Sequence, residues 1–143
     1  MIIVTGTKRS GTSMWMQILD AAGLQLIGEA FPKNWDETLE DANPHGFYES
    51  PLRRGIYYAT NPHPVEGKYL PPGDTRDVAV KVFIPGLCRT DFAYIKQVVG
   101  TMRHWREYVA SIERMREMED QAIEERGGRE LGRPERVDPV LEW

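Results

Sequence analysis

The feature that most constrains the fold is the start of the chain, which reads MIIVTGTKRSGTSMWMQIL. Residues 2–5 are a short continuous apolar run, the pattern of a strand that is covered on both faces. A loop with glycines at both ends follows, and residues 13–22 repeat apolar side chains at helical spacing. Gly23 stands where a helix C-cap glycine is expected. Strand, glycine loop and helix in this order predict an α/β domain.

Two further strands and a long helix follow this first unit. Residues 77–85 are rich in β-branched side chains and predict a central strand, and residues 94–103 predict a third strand. Residues 105–126 predict a long helix whose face with Trp105 and Ile112 packs on the core. The predicted fold class is therefore α/β, a three-layer α/β/α arrangement with a small parallel sheet and flanking helices.

The length and composition limit the classes of protein to which this chain can belong. The 143 residues predict one domain over 1–143, with a loop-rich insertion at 31–73 and an irregular tail at 127–143. The net charge of −4 argues against general nucleic-acid affinity. No run approaches the roughly 18 apolar residues of a membrane span, and the opening lacks the features of a signal peptide. The one cysteine, Cys88, is interpreted as a small, partly buried residue in a reducing, cytoplasmic compartment.

The loop between Gly6 and Gly11 predicts an anion site. Backbone N–H groups at a helix N-terminus point at an anion, and the helix dipole favours negative charge there. Cations and hydroxyl donors lie in the same stretch: Lys8, Arg9, Ser10, Thr12 and Ser13. The loop lacks the lysine that follows the second glycine in nucleoside triphosphate-binding loops and reaches the β- and γ-phosphates. It therefore predicts phosphate binding without the group most characteristic of a triphosphate with its magnesium.

The stretch GTKRSGTSMW resembles the 5′-phosphosulfate-binding P-loop of the sulfotransferases that use 3′-phosphoadenosine 5′-phosphosulfate (PAPS). That family carries a Lys or Arg directly before Ser/Thr-Gly-Thr-Thr/Ser, and Arg9 takes that position here. Bacterial members often carry a proline one residue earlier, where this chain has Lys8. The resemblance implies the following residues as ligands of the 5′-phosphosulfate: Lys8, Arg9, Ser10, Gly11, Thr12 and Ser13.

A second stretch, VVGTMRHWREYVASIERM, resembles the same family. Its members bind the 3′-phosphate with an Arg at the end of a strand and a Ser eight residues later, which correspond here to Arg103 and Ser111. Guanidinium and hydroxyl donors both suit phosphate oxygens. Because eight residues of continuous helix span about 12 Å, this role requires the chain near residues 103–105 to be a loop.

A third stretch, NPHGFYE, resembles the Asn-Pro-x-Gly-x-x-Glu motif of many bacterial sulfotransferase-like proteins. The resemblance implies that Glu49 lies near the acceptor. The stretch AVKVFIPGL resembles the family's second core strand, with Lys81 in the position of its common lysine. Together these matches cover about residues 1–118. Complete sulfotransferases are usually longer and often close a carboxyl-terminal segment over the nucleotide, so a fragment, a degenerate copy and a compact variant all stay open.

The resemblance implies sulfuryl transfer from PAPS to a hydroxyl or amine of a small-molecule or glycan acceptor. Arg9, with Lys8, would stabilise the departing 5′-phosphate. The general base would be Glu49, which we prefer because it is the fixed end of its motif, or His45, whose ordinary pKa suits the task. No metal is expected, because cations and amides meet the charge of the leaving group.

Two other functions remain open from the sequence. A small-molecule kinase that uses ATP would explain the strand, loop and helix, but it would have to work without the loop lysine. A catalytically inactive, nucleotide-binding module of sulfotransferase ancestry would fit the short chain. For partners, we expect neither nucleic acid nor a membrane, and the apolar face of the long helix offers a surface for a homodimer.

Overall fold

The computed structural model of the protein describes residues 1–31, 43–57, 69–125 and 136–142. These residues form four strands and four helices. In chain order they are β1 (Ile2–Gly6), α1 (Thr12–Ala21), β2 (Gln25–Ile27), β3 (Val78–Lys81), α2 (Ile84–Leu87), β4 (Gln97–Thr101), α3 (Trp105–Glu125) and α4 (Pro139–Glu142). Single 3₁₀ turns occur at Pro51–Arg54, Pro72–Thr75 and Phe92–Tyr94.

The four strands form one parallel sheet in the order β2-β3-β1-β4. In register, Ile3 lies between Val80 of β3 and Val98 of β4. Parallel neighbours need crossover connections, which is why α1 follows β1 and packs against β1 and β3. The predicted α/β class with a small parallel sheet is confirmed.

Side-chain alternation along the strands divides the core between the two faces of the sheet. On one face, Ile3 and Val80 belong to a fully buried cluster with Leu52 and Ile56 from the segment around the Pro51–Arg54 turn. On the other face, α1 contributes the buried Met16. Because both faces of the sheet are covered, β1 and β3 have continuous runs of apolar residues rather than an alternating pattern.

The number of strands in the sequence-based prediction is wrong. Three were predicted, and the fourth is β2, which consists of the three residues Gln25–Ile27 between Gly23 and Gly28. A run this short carries no periodic signal, and its pairing with β3 makes it a strand. The predicted C-cap at Gly23 is confirmed, because Gly23 has a φ of 82° and its N–H bonds to the Asp20 carbonyl.

The long helix α3 matches the predicted span to within one residue, but its buried face is rotated. Tyr108 and Ile112 are fully buried, whereas Trp105, which was predicted to face the core, is 41% exposed. Trp105 is the first residue of α3, beyond the reach of the sheet, and its ring lies 5.3 Å from the Arg106 guanidinium.

Three other expectations concern loops. Within the predicted loop-rich insertion at 31–73, Pro51–Arg54 form a 3₁₀ turn, and residues 32–42 and 58–68 lie outside the described residues. Within the predicted irregular tail, Pro139–Glu142 form one helical turn, and residues 127–135 lie outside the described residues. The interpretation of Cys88 as partly buried is wrong, because it is exposed just after α2.

Candidate functional site

The carboxyl ends of β1, β3 and β4 open into one cavity of about 1390 Å³. The strand order places β1 between two strands that lie later in the chain, and such a reversal creates a crevice at the carboxyl edge of an α/β sheet. Residues 6–14 after β1, residues 82–86 after β3 and Arg103 after β4 all line the cavity. The topology thus brings together three segments that are far apart in sequence.

The loop after β1 is fixed to the end of β4. Ser10 donates its hydroxyl to the Thr7 carbonyl at 2.6 Å and shares a hydrogen bond of 2.7 Å with the Thr101 hydroxyl. Arg9 and Gly11 both have left-handed backbone, with φ of 60° and 97°. Left-handed backbone is uncommon for a residue other than glycine, and it is enriched at binding sites, so the conformation of Arg9 makes this loop a candidate functional segment.

The N-terminus of α1 faces the cavity with free helix amides. The first hydrogen bond of α1 runs from the Trp15 N–H to the Gly11 carbonyl at 3.2 Å, so the preceding N–H groups of Thr12, Ser13 and Met14 have no acceptor inside the helix. Among the described residues, no side chain caps this end and no acidic residue lies in the first turn. These amides and the helix dipole therefore favour an anion.

Arg9 connects the loop to α3. Its Nε donates to the Ser111 hydroxyl at 3.1 Å, and Arg103 donates from its terminal nitrogen to the Arg9 carbonyl at 3.1 Å. Arg103 also pairs with Glu107 at 3.3 Å. Burial, together with the neighbouring Arg103, lowers the pKa of Arg9. Two guanidinium groups and a hydroxyl thus converge at one point, where an anion would relieve their repulsion.

Arg103 occupies the loop that its predicted role requires. Residues 102–104 are not helical, and α3 begins at Trp105. This geometry lets Arg103 and Ser111 approach the same loop residue although they are eight positions apart. The sequence-based condition for their joint action is therefore met.

A buried ion pair lies beside the N-terminus of α1. The Lys81 ammonium lies 2.6 Å from Glu49 Oε1, and it also donates to the Ser13 hydroxyl at 3.4 Å and to the Phe47 carbonyl. Burial lowers the pKa of Lys81, the Glu49 carboxylate opposes this shift, and the charges of Arg53 and Arg9 add to it. Lys81 therefore ties the segment around residue 49 to the loop and α1.

The structure places most of the predicted site residues around the cavity. Those that line it are Lys8, Arg9, Ser10, Gly11, Thr12, Ser13, Glu49 and Arg103. Ser111 lies behind them and reaches the site through Arg9. His45 is exposed and is not among the residues that line the cavity, so the structure separates it from the other candidates.

Three arginines that the sequence analysis missed also line the cavity. Arg53 and Arg54 belong to the Pro51–Arg54 turn, and Arg89 follows α2. The Arg53 guanidinium lies 5.8 Å from the centre of the Phe83 ring. In the sequence, all three resemble ordinary surface arginines. The one feature that could have pointed to a shared site is that Arg53 and Arg54 are adjacent and lie just after the NPHGFYE stretch.

Across 1–31, 43–57, 69–125 and 136–142, no group of three or more His, Cys, Asp or Glu side chains could hold a metal ion. Within these ranges, no helix is both long and apolar enough to cross a membrane.

Comparisons of the chain with protein-family models, with curated proteins and with solved structures found no match. The motifs in the sequence and the geometry of this cavity are therefore the basis for a functional assignment.

Proposed function

We propose that the protein is a P-loop sulfotransferase of three-layer α/β/α type that binds PAPS and transfers its sulfuryl group to a hydroxyl or amine. The observation that carries this proposal is the contact of Arg9 with both Ser111 and Arg103. The two stretches that resemble the PAPS-binding motifs are about a hundred residues apart, and here they meet at Arg9: Ser111 accepts a hydrogen bond from its guanidinium, and Arg103 donates to its backbone carbonyl. This proximity of the two predicted phosphate sites supports one ligand with two anionic ends.

In the proposed reaction, the acceptor oxygen or nitrogen forms a bond to sulfur while the bond between sulfur and the 5′-phosphate oxygen breaks. Negative charge then builds on the departing phosphate. The amides of Thr12, Ser13 and Met14 and the guanidinium of Arg9 meet that charge, with Lys8 beside them. Catalysis by such positioned donors needs no proton transfer to the leaving group, because a phosphate is stable as an anion.

The 3′-phosphate is assigned to Arg103 and Ser111. The Ser111 hydroxyl accepts a hydrogen bond from Arg9, and Arg103 donates to the Arg9 carbonyl and to Glu107. A phosphate would accept hydrogen bonds from both Arg103 and Ser111, and hydrogen bonds to a charged group are the stronger kind. The 3′-phosphate should therefore contribute strongly to affinity.

Glu49 is assigned as the general base for the acceptor proton. It lines the cavity, whereas His45 does not. Its Oε1 is paired with Lys81, and among the described residues its buried Oε2 has no hydrogen-bond partner. Acceptor binding would have to bring the proton to Oε2, within the hydrogen-bond distance that general-base catalysis needs.

Calorimetric binding of 3′,5′-adenosine bisphosphate, the product of PAPS, tests the proposal. We expect about micromolar affinity, with 5′-AMP at least about tenfold weaker because it lacks the 3′-phosphate. Arg103→Ala and Ser111→Ala should each reduce this preference, because they remove donors to that phosphate.

The controls separate the competing functions. Ala110→Ser adds a hydroxyl one position away from Ser111 and should leave the preference unchanged. ATP with magnesium should bind more weakly than the bisphosphate. Tighter binding of ATP would favour a kinase and contradict the proposal, and so would absence of bisphosphate binding. Bisphosphate binding without transfer from PAPS to any acceptor would identify an inactive module.

A further inference from the structure

We infer that the acceptor of this protein carries an anionic group, which the arginines on the second wall of the cavity bind. This inference rests on the proposed function and adds to it the chemical class of the acceptor. The second wall consists of Arg53 and Arg54 in the Pro51–Arg54 turn, Phe83 and Ile84 at the start of α2, and Arg89 after it. It faces the same cavity as the loop after β1.

The second wall is a fixed surface. The Phe83 N–H donates to the Arg53 carbonyl at 2.9 Å, which joins the turn to the start of α2. Gly86 lies so close that an added Cβ would be 2.5 Å from the Arg53 carbonyl oxygen. The segment that carries Arg89 follows directly, and the Arg89 N–H donates to the Gly86 carbonyl at 3.1 Å. The three arginines therefore project from one packed unit.

Two of these arginines have charge available for a ligand. Arg53 lies 3.7 Å from Glu49 Oε2 and stacks near Phe83, so its position is partly fixed. Within the described residues, neither Arg54 nor Arg89 forms an ion pair with a carboxylate, and both are exposed. Arg136, by contrast, pairs with both Asp120 and Glu119.

The charge around the cavity exceeds what the nucleotide requires. Seven of the described lining residues are Lys or Arg and two are Glu, although the whole chain has a net charge of −4. The two anionic ends of PAPS are assigned to the loop after β1 and to Arg103 with Ser111. The arginines of the second wall are not used by either end, and they leave a positive field where the acceptor would enter.

The chemistry of the wall specifies the kind of acceptor. Guanidinium groups bind carboxylate, sulfate and phosphate through paired N–H donors. Phe83 and Ile84 are 37% and 43% exposed and line the cavity between the arginines, so they offer apolar contact to the body of the acceptor. An acceptor with an aromatic or aliphatic body and one anionic substituent fits both features.

The test uses the full chain saturated with 3′,5′-adenosine bisphosphate, so that only the acceptor region remains open. Calorimetry then compares 4-hydroxybenzoate and 4-hydroxyphenyl sulfate with the neutral 4-hydroxybenzamide. We expect at least one anionic probe to bind about tenfold more tightly than the amide, as a charged hydrogen bond should give. Equal binding of all three, or binding of none, would overturn the inference while leaving the proposed function intact.

Variants of the second wall provide the second part of the test. Arg54→Gln/Arg89→Gln should abolish the preference for the anionic probe and leave the affinity for the bisphosphate within about twofold. Arg76→Gln/Arg114→Gln removes the same charge from exposed positions outside the cavity lining and should keep the preference. A preference that survives in the first variant, or disappears in the second, would contradict the assignment. If the bisphosphate itself does not bind, the proposed function fails and the acceptor assignment fails with it.

Discussion

Gly6, at the end of β1, lies where the structure leaves no space for a side chain. A Cβ at residue 6 would lie 2.1 Å from the Thr101 hydroxyl oxygen, 2.5 Å from the Thr101 carbonyl oxygen and 2.6 Å from the Ser10 hydroxyl oxygen. These atoms include backbone of the neighbouring strand, which cannot move without disturbing the sheet. The glycine therefore allows the close approach of β1 and β4 that builds the floor of the cavity.

Gly6→Ala should destabilise the fold and weaken the site together. We expect a loss of about 1–3 kcal/mol in the free energy of unfolding, as overpacking gives, measured by urea denaturation, and weaker binding of 3′,5′-adenosine bisphosphate. Gly100→Ala, one residue from Thr101 in β4, has no atom within 4 Å of the added Cβ and should change stability by less than about 1 kcal/mol. Equal effects of the two substitutions would contradict this account.

Lys81 and Glu49 form the most deeply buried ion pair that the structure describes at the site, with side chains 5% and 9% exposed. Removing one partner leaves a charge in a medium that solvates it poorly, and such losses cost about 3–5 kcal/mol. Lys81→Met and Glu49→Gln should each destabilise the fold by up to this amount. The double variant should be less destabilised than the sum of the single changes, which a double-mutant cycle of chemical denaturation measures.

Additive losses would show that the two side chains act independently and would refute the pairing. Activity separates the structural role of Glu49 from its proposed role as base. Glu49→Gln should lower kcat for sulfuryl transfer about 10²–10⁴-fold with little change in bisphosphate affinity. His45→Gln should leave kcat unchanged, because His45 is exposed outside the cavity lining.

At the scale of elements, α3 connects the proposed nucleotide site to the carboxyl end of the described chain. Its first half holds Ser111, and its second half binds the segment that leads into α4. Arg136 pairs with Asp120 through two hydrogen bonds of 2.9 and 3.0 Å, and Arg116 donates to the Val137 carbonyl at 2.6 Å. These contacts lie on the surface, so they dock α4 without belonging to the core.

Arg136→Ala should release α4 from α3 at small cost. We expect a loss of about 1 kcal/mol or less, seen as a fall of about 2–4 °C in Tm, which high salt should abolish because it screens surface pairs. Arg114→Ala is the matched control, because Arg114 is exposed on α3 and, among the described residues, pairs with no carboxylate. A larger loss, or one that salt does not reduce, would indicate that α4 is part of the core.

At the scale of the whole molecule, the sign of the charge differs between the chain and its cavity. The net charge is −4, but the cavity lining is rich in Lys and Arg. An anionic ligand is therefore repelled at long range and attracted near the site. Salt first screens the long-range repulsion between the net-negative chain and the ligand. The short-range attraction in the partly buried site should therefore dominate the measured affinity.

Affinity for 3′,5′-adenosine bisphosphate should fall with ionic strength, because salt at high concentration also weakens the attraction between the cations of the lining and the phosphates. Between about 0.01 M and about 1 M salt the Debye length falls from about 30 Å to about 3 Å, and we expect Kd to rise by about tenfold or more. The free energy of unfolding without ligand, measured in the same buffers, is the control and should change much less. A Kd that is independent of salt would mean that the cations around the cavity do not bind the phosphates.

The sequence by itself determined the elements whose pattern is local. The apolar run of β1, the glycine loop, the helix period of α1 and the β-branched run of β3 each depend on neighbours in the chain, and the α/β class follows from them. These features can be predicted from the sequence because the spacing of apolar residues and the choice of turn residues depend on only a few neighbours in the chain. The shared role of Arg103 and Ser111 is implied by the resemblance to the sulfotransferases, and it stays a prediction.

Only the tertiary structure decided the rest. The pairing with β3 makes a strand of Gln25–Ile27, and the tertiary structure buries Tyr108 of α3 rather than Trp105. The strand order brings the second wall to the same cavity as the loop after β1. It also buries Lys81 against Glu49. Contacts between distant segments have no local signature, because burial and charge pairing depend on which surfaces the sheet order places together.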